Sequence, residues 1–279
     1  MKKKIKLLKS KANSIRKLII QMLGEAKSGH PGGSLSSAEI ITCLYFEVLR
    51  HKPDDPKWPD RDRFHLSKGH CCPAVYAALA LAGYFPQDEL MKLRKLGSSL
   101  QGHPDRQTPG IEVASGSLGQ GLSIAVGMAL AAKMDKKDWR VHCLMGDGEI
   151  QEGNVWEAAM AAAHFKLDNI CAILDYNRFQ IDGRTEEIMN LEPVVNKWES
   201  FGWHVIQCDG HNIQELLEAF GLAKATSMKP TIIIAHTVKG KGVSFMEHIV
   251  DFHGRAPTSE EKNIALKELD DIAGDEELL

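Results

Sequence analysis

The chain has 279 residues, 43% hydrophobic and 25% charged, which is enough for one large or two small cores. A net charge of −3 supplies no global field for nucleic acid, and no apolar run approaches the roughly 20 residues of a bilayer span. Six cysteines show no CxxC and no metal-ligand spacing, and with no export signal this points to reduced thiols and a cytoplasmic protein.

The first seventeen residues carry eight Lys or Arg. They are no signal peptide, because Lys6, Lys9 and Lys11 interrupt any apolar stretch. Ile5, Leu8, Ala12, Ile15, Ile19 and Met22 recur at three- and four-residue spacing, which predicts one amphipathic helix with a lysine-rich outer face. Further helices are expected over residues 38–49, 73–82, 118–134, 158–165 and 213–227. Strands are expected over 64–66, 141–145, 170–175, 203–208 and 231–236, each a short, continuous apolar run. Strands alternating with helices predict an α/β, doubly wound, mostly parallel sheet with helices on both faces. The chain reads as one domain over 1–279, with a helical elaboration over 1–60. Its acidic end, 260–279, is expected to hold a helix over 259–269 and then to fray.

Asp147 closes one apolar run inside Gly146-Asp147-Gly148, and Asn177 closes the next one thirty positions later. That spacing allows two parallel strands joined by one crossover helix. Both side chains would then emerge at the carboxyl ends of neighbouring strands, where open α/β sheets bind ligands. A carboxylate and a carboxamide among glycines suit a hard cation shared with a phosphate group. Four other segments break the rhythm with Gly, His and Ser. They are Ser28-Gly29-His30-Pro31-Gly32-Gly33, Leu66-Ser67-Lys68-Gly69-His70, Gln101-Gly102-His103-Pro104, and Ala114-Ser115-Gly116-Ser117-Leu118-Gly119-Gln120-Gly121. The last runs straight into an apolar helix, whose first free amides can hold an anion.

These segments, with Gly146-Asp147-Gly148-Glu149-Ile150-Gln151-Glu152-Gly153, resemble the N-terminal, diphosphate-binding domain of transketolase, from about residue 10 to about 260. The resemblance implies thiamine diphosphate and Mg²⁺ as cofactors. Asp147, Asn177 and the main-chain carbonyl of Phe179 would hold the metal. His70, Gly116 and the Gly148 amide would contact the diphosphate, with Lys239 and Lys68 near it, and Leu118 would pack on the aminopyrimidine. His30, His103 and His253 would face the reacting sugar, with His248 competing for the place of His253. Glu152 and Glu157 match residues that face a second copy of the chain. Ser117 stands where many relatives have proline, and Tyr176-Asn177 replaces a pair of asparagines.

A full-length transketolase continues into a pyrimidine-binding domain that supplies a glutamate for cofactor activation. The resemblance is therefore to the N-terminal subunit of a split transketolase whose C-terminal subunit is a separate chain, with two copies of each expected. The implied reaction moves a two-carbon ketol unit from a ketose phosphate to an aldose phosphate. Alternatives are another thiamine diphosphate enzyme, such as a 1-deoxyxylulose-5-phosphate synthase or a transketolase for an unusual sugar, and a non-catalytic cofactor-binding module. A dinucleotide-binding dehydrogenase fits poorly, since no GxGxxG opens the first βα unit. His142, His164, His204 and His236 read as structural, and the five tryptophans as packing or interface residues.

Overall fold

The structure is a computed structural model that describes residues 2–278, with side chains described through residue 272. Helix α1 (Lys2–Ala26) leads into α2 (Pro31–Ser36) and α3 (Ala38–Cys43), which ends in a wide π turn over Leu44–Val48. Then follow β1 (Arg63–Leu66), α4 (Cys72–Ala82), α5 (Gln120–Met134), β2 (Val141–Gly146), α6 (Gly153–His164) and β3 (Ile170–Tyr176). The chain goes on through α7 (Thr185–Ile188), α8 (Val194–Ser200), β4 (His204–Asp209), α9 (Ile213–Ala225), β5 (Thr231–His236) and α10 (Ser259–Leu278).

The five strands form one sheet in the order β1-β2-β3-β5-β4, and every pairing is parallel. Alternate side chains divide between two cores. Leu66, Leu144, Ile173 and Ile233 face one side, with α1, α3, α4 and α9. Cys143, Ala172, Leu174 and Ile232 face the other, with α5, α6 and α8. Burial on both faces is why each strand reads as an unbroken apolar run rather than an alternation. The expected helix between β2 and β3 is α6, so Asp147 and Asn177 do follow neighbouring strands. Between β3 and β4 the chain skips a position, which β5 fills, and this reversal places the crevice at the carboxyl edge of β2, β3 and β5.

The predicted stripe of α1 is buried from Leu8 to Met22, but Ile20 and Leu23 are buried too, because α3, α4 and α10 surround the helix. Two expectations change. Ser28–Gly33 is not all loop: Pro31 occupies the first helical position and α2 is wholly buried, so packing outweighs two glycines. Helix α10 runs past Leu269, where fraying was expected; the acidic side chains from residue 273 onward lie outside the described residues. Three of the tryptophans pack together in the second core: Trp198 sits 5.1 Å from Trp156 and 5.0 Å from Trp203, ring centre to ring centre. No helix of the described residues is long and apolar enough to cross a membrane.

Ile173 lies fully buried at the centre of the sheet. Ile173→Ala is expected to cost about 2–5 kcal/mol, read as a lowered urea midpoint with an unchanged slope.

Candidate functional site

A cavity of about 240 Å³ opens at the carboxyl edge of the sheet. It is lined by Asp147, Gly148, Asn177, Phe179 and Lys239 together with His30, His70, His103 and His253. Gly116, Leu118 and Lys68 complete the wall.

The polar lining depends on a buried carboxylate that the sequence did not single out. Asp175, the last inward residue but one of β3, is fully buried. It accepts hydrogen bonds from Ser36 (2.7 Å), Asn177 Nδ2 (3.1 Å), Thr237 and the Lys68 ammonium. Burial pushes Asp175 up, but Lys68 and the hydroxyls outweigh it and keep the carboxyl below its usual range. Burial likewise pulls Lys68 down, yet Asp175 holds the ammonium above the ordinary lysine value. Lys68 therefore lines the cavity with its charge already compensated, and its Nζ also reaches the Gly33 carbonyl at 3.1 Å.

With its amide hydrogens on Asp175, Asn177 has its Oδ1 turned away, where it accepts from the Phe179 amide at 3.1 Å. Asp147 accepts from the amides of Gly148 (2.8 Å) and Arg178. Burial, then the neighbouring Asp175, push Asp147 up to about 7. Lys239 Nζ lies 3.4 Å from the Phe179 carbonyl and donates to His253 Nδ1 at 2.7 Å, and burial brings it down to about 8. One carboxylate, one carboxamide oxygen and one carbonyl make an all-oxygen set that suits Mg²⁺. No cluster of three or more His, Cys, Asp or Glu among the described residues forms a metal cage, so such an ion would need further oxygens from an anionic ligand. Lys239 and the histidines line the same cavity and carry the donors such an anion needs. The residues present thus fit a magnesium diphosphate.

The histidines meet from four separate segments. His30 lies 5.2 Å from His70, 6.4 Å from His103 and 5.7 Å from His253, and His70 stacks on His253 at 5.2 Å. Burial lowers all four. His30 falls to about 4, helped by Arg94 and His103, and His253 to about 3, helped by Lys239. His70 lies well below the usual value, and His103 is lowered by burial and Arg94. At neutral pH each ring is uncharged, with one nitrogen to donate and one to accept. The Lys239 contact makes Nδ1 of His253 the acceptor, which leaves the proton on Nε2. His30 Nδ1 is buried without a partner among the described residues, as expected of an atom awaiting a ligand.

Glu149 fixes the wall. Its buried carboxylate accepts from the Gly119 amide (3.0 Å), the Gly146 amide (3.0 Å) and Ser67 Oγ. Gly119 adopts φ +83° there, and a Cβ would lie 2.6 Å from that of Glu152, so only glycine makes the turn into α5. Helix α5 consequently begins at Gln120, two residues later than expected.

Of the residues singled out from the sequence, His30, His103, His253, His70, Gly116, Leu118, Gly148, Lys239, Lys68, Asp147, Asn177 and Phe179 all line this cavity. Ser117 does not: its loop turns it toward a separate cavity shared with His65 and Gln120. His248 is exposed, with its ring beside Phe179, so His253 is the histidine that joins the cluster. Glu152 and Glu157 are exposed on the outside of α6. His142, His164, His204 and His236 lie elsewhere, on Phe220, Phe165, Thr226 and Gln207 respectively. Asp175 and Glu149 were missed; the one available signal was an acidic residue ending or following an apolar strand. All six cysteines are free and buried.

The sequence matches the family model for "Transketolase, thiamine diphosphate binding domain" over residues 8–270. The chain therefore belongs to that family, the thiamine diphosphate-binding domain of transketolases. It is 49% identical over 264 residues to the 6-deoxy-6-sulfo-D-fructose transketolase subunit of Clostridium sp. (strain MSTE9), covering 94% of this chain and 96% of that one. It is 46% identical over 265 residues to an apulose-4-phosphate transketolase subunit of Phocaeicola vulgatus, covering 95% and 94%. The crystal structure of transketolase from Campylobacter jejuni superposes with a TM-score of 0.91 at 38% identity, covering 97% of this chain and 43% of that one.

The buried neutral rings have a consequence for stability. Unfolded histidines take up a proton below about pH 6.5, whereas His65 and His142, both lowered by burial to about 4, stay neutral in the folded chain. Stability is thus full above pH 6.5 and is lost as pH falls toward 4. Asp147 opposes this, since its raised value costs stability as pH climbs from about 4 to about 7, but several histidines outweigh one carboxyl. Urea midpoints are expected to fall between pH 7 and pH 5, with His65 and His142 each accounting for about 1–2 kcal/mol.

Proposed function

We propose that this chain is the N-terminal, diphosphate-holding subunit of a two-chain transketolase. It would carry a two-carbon ketol unit from a ketose phosphate to an aldose phosphate, with thiamine diphosphate and Mg²⁺. The observation that carries this reading is one cavity that brings an oxygen-lined cation site and the buried Lys239 against four uncharged histidines. Relatives of near-equal length, the Clostridium and Phocaeicola proteins among them, are named as transketolase subunits, which supports a separate partner chain.

In this reading Asp147, Asn177 and the Phe179 carbonyl hold Mg²⁺, and Lys239, His70 and the Gly148 amide hold the diphosphate. Leu118, more than one-third exposed on the cavity wall, awaits an apolar ring. Bound thiamine diphosphate supplies the carbon nucleophile and the electron sink for breaking the C–C bond. The chain's own part is to orient and to move protons. His253, oriented by Lys239, presents Nε2–H as a donor to developing alkoxide charge. His30 and His103 can each give or take a hydroxyl proton at neutral pH. Loss of one preorganised donor of this kind typically costs about 2.7–4 kcal/mol.

The partner would bring the glutamate that activates the aminopyrimidine and cover the open side of the cavity. Glu152, just before α6, and Glu157, on α6 with the exposed Met160, would face a second copy, giving two of each chain. Six buried free thiols support a cytoplasmic setting.

The purified chain alone is expected to bind Mg²⁺ and cofactor weakly and to transfer nothing; adding the partner should restore ketol transfer, and robust turnover by the chain alone would reject the two-chain reading. Within the complex, Asp147→Ala should abolish Mg²⁺-dependent cofactor binding in calorimetry. His103→Ala should leave that affinity nearly intact and lower kcat by about 10²-fold or more; the reverse pattern would exchange their places.

A further inference from the structure

At the amino ends of β1, β2 and β3, the edge of the sheet opposite the cofactor crevice, lies another cavity of about 180 Å³. Its floor is apolar: Val48, Cys171, Phe220 and Ala223. Into this floor projects His142 of β2, 4% exposed, with its ring edge-on to Phe220 at 5.9 Å. Among the described residues no hydrogen bond reaches either ring nitrogen, and Nδ1 is enclosed without a partner. An enclosed Nδ1 without a partner is costly, and Nε2, which is not enclosed in this way, is the nitrogen left to meet a polar ligand.

The charges around the mouth define the sign of that ligand. Asp62 accepts from the Arg50 side chain (3.2 Å) and from the amides of Arg50 (2.9 Å) and Arg140 (2.8 Å). Asp138 takes two bonds from Arg50, at 2.9 and 3.2 Å. Both carboxylates are therefore committed to Arg50. Arg140 gives Nη2 to the carbonyls of Asp168 (2.8 Å) and Ala223 (3.1 Å), and its remaining nitrogens are uncommitted among the described residues. Lys224 lines the mouth, exposed and without an ion pair among the described residues. Three cations against two carboxylates leave one positive charge over an apolar floor, with an imidazole that can donate.

We propose that this cavity binds a small aliphatic monocarboxylate. Its carboxylate lies between Lys224 and Arg140 and accepts from His142, and its hydrocarbon rests on Phe220 and Val48. A carboxylate on a short chain meets both the charge and the floor, whereas inorganic phosphate meets only the charge. The site shares no residue with the crevice and would leave cofactor binding unobstructed.

The test is calorimetric titration of the full chain with acetate, propionate and isobutyrate, and with inorganic phosphate, at constant ionic strength in chloride. Saturable binding that tightens about fourfold per added carbon is expected. Phosphate should bind more weakly than isobutyrate. Thiamine diphosphate with Mg²⁺ should change nothing. Lys224→Glu, a substitution at an exposed position checked for an unaltered urea midpoint, should weaken isobutyrate at least tenfold, and Lys224→Ala should weaken it less. Absence of saturable heat, affinity indifferent to chain length, phosphate binding as tightly as isobutyrate, displacement by the cofactor, or full affinity in Lys224→Glu would each overturn the proposal.

Discussion

The crevice is organised around a carboxylate that water never reaches. Asp175 sits fully buried, and an ion there persists only if its lone pairs are filled and its charge is met. Lys68, arriving from the end of β1, meets the charge; Ser36 from α2, Thr237 beyond β5 and Asn177 at the end of β3 fill the lone pairs. Four segments remote in sequence are thereby tied at one point. The orientation of Asn177 is one product of this tie. Such a network specifies an arrangement more than it adds stability, because removing one partner strands another in a place without solvent.

A second network does for the wall what Asp175 does for the floor. Glu149 gathers two backbone amides and a hydroxyl and so fixes the turn at Gly119, next to the residues that line the cavity at Gly116 and Leu118. Close approach is the reason for the glycines here: a Cβ on Gly69 would meet Ser115 Oγ at 2.6 Å, and one on Gly33 would meet Cys71 Sγ at 2.6 Å. Two carboxylates without catalytic geometry thus hold the groups that have it.

The histidine cluster follows from the same enclosure. Three imidazoles packed 5.2–5.7 Å apart, with His103 6.4 Å from His30, cannot all be charged beside Lys68 and Lys239, and burial makes charging any of them expensive. They are therefore neutral and amphoteric, which proton traffic around a reacting sugar requires. Leu118 stays exposed on the wall of the same cavity.

The sequence determined the five strands, their parallel order of succession and the histidine-bearing and glycine-rich segments, because apolar runs and glycine breaks are local signals. It also placed Asp147 and Asn177 at the ends of adjacent strands, since one helix of crossover length separates them. Tertiary structure alone decided between His253 and His248, turned Ser117 away from the cavity, made α2 a helix despite Gly32 and Gly33, and gave Asp175 and Glu149 their roles. The physical reason is common to these cases. Each depends on burial and on partners many residues away, and a single buried polar side chain has no period by which its neighbours could be read from the chain.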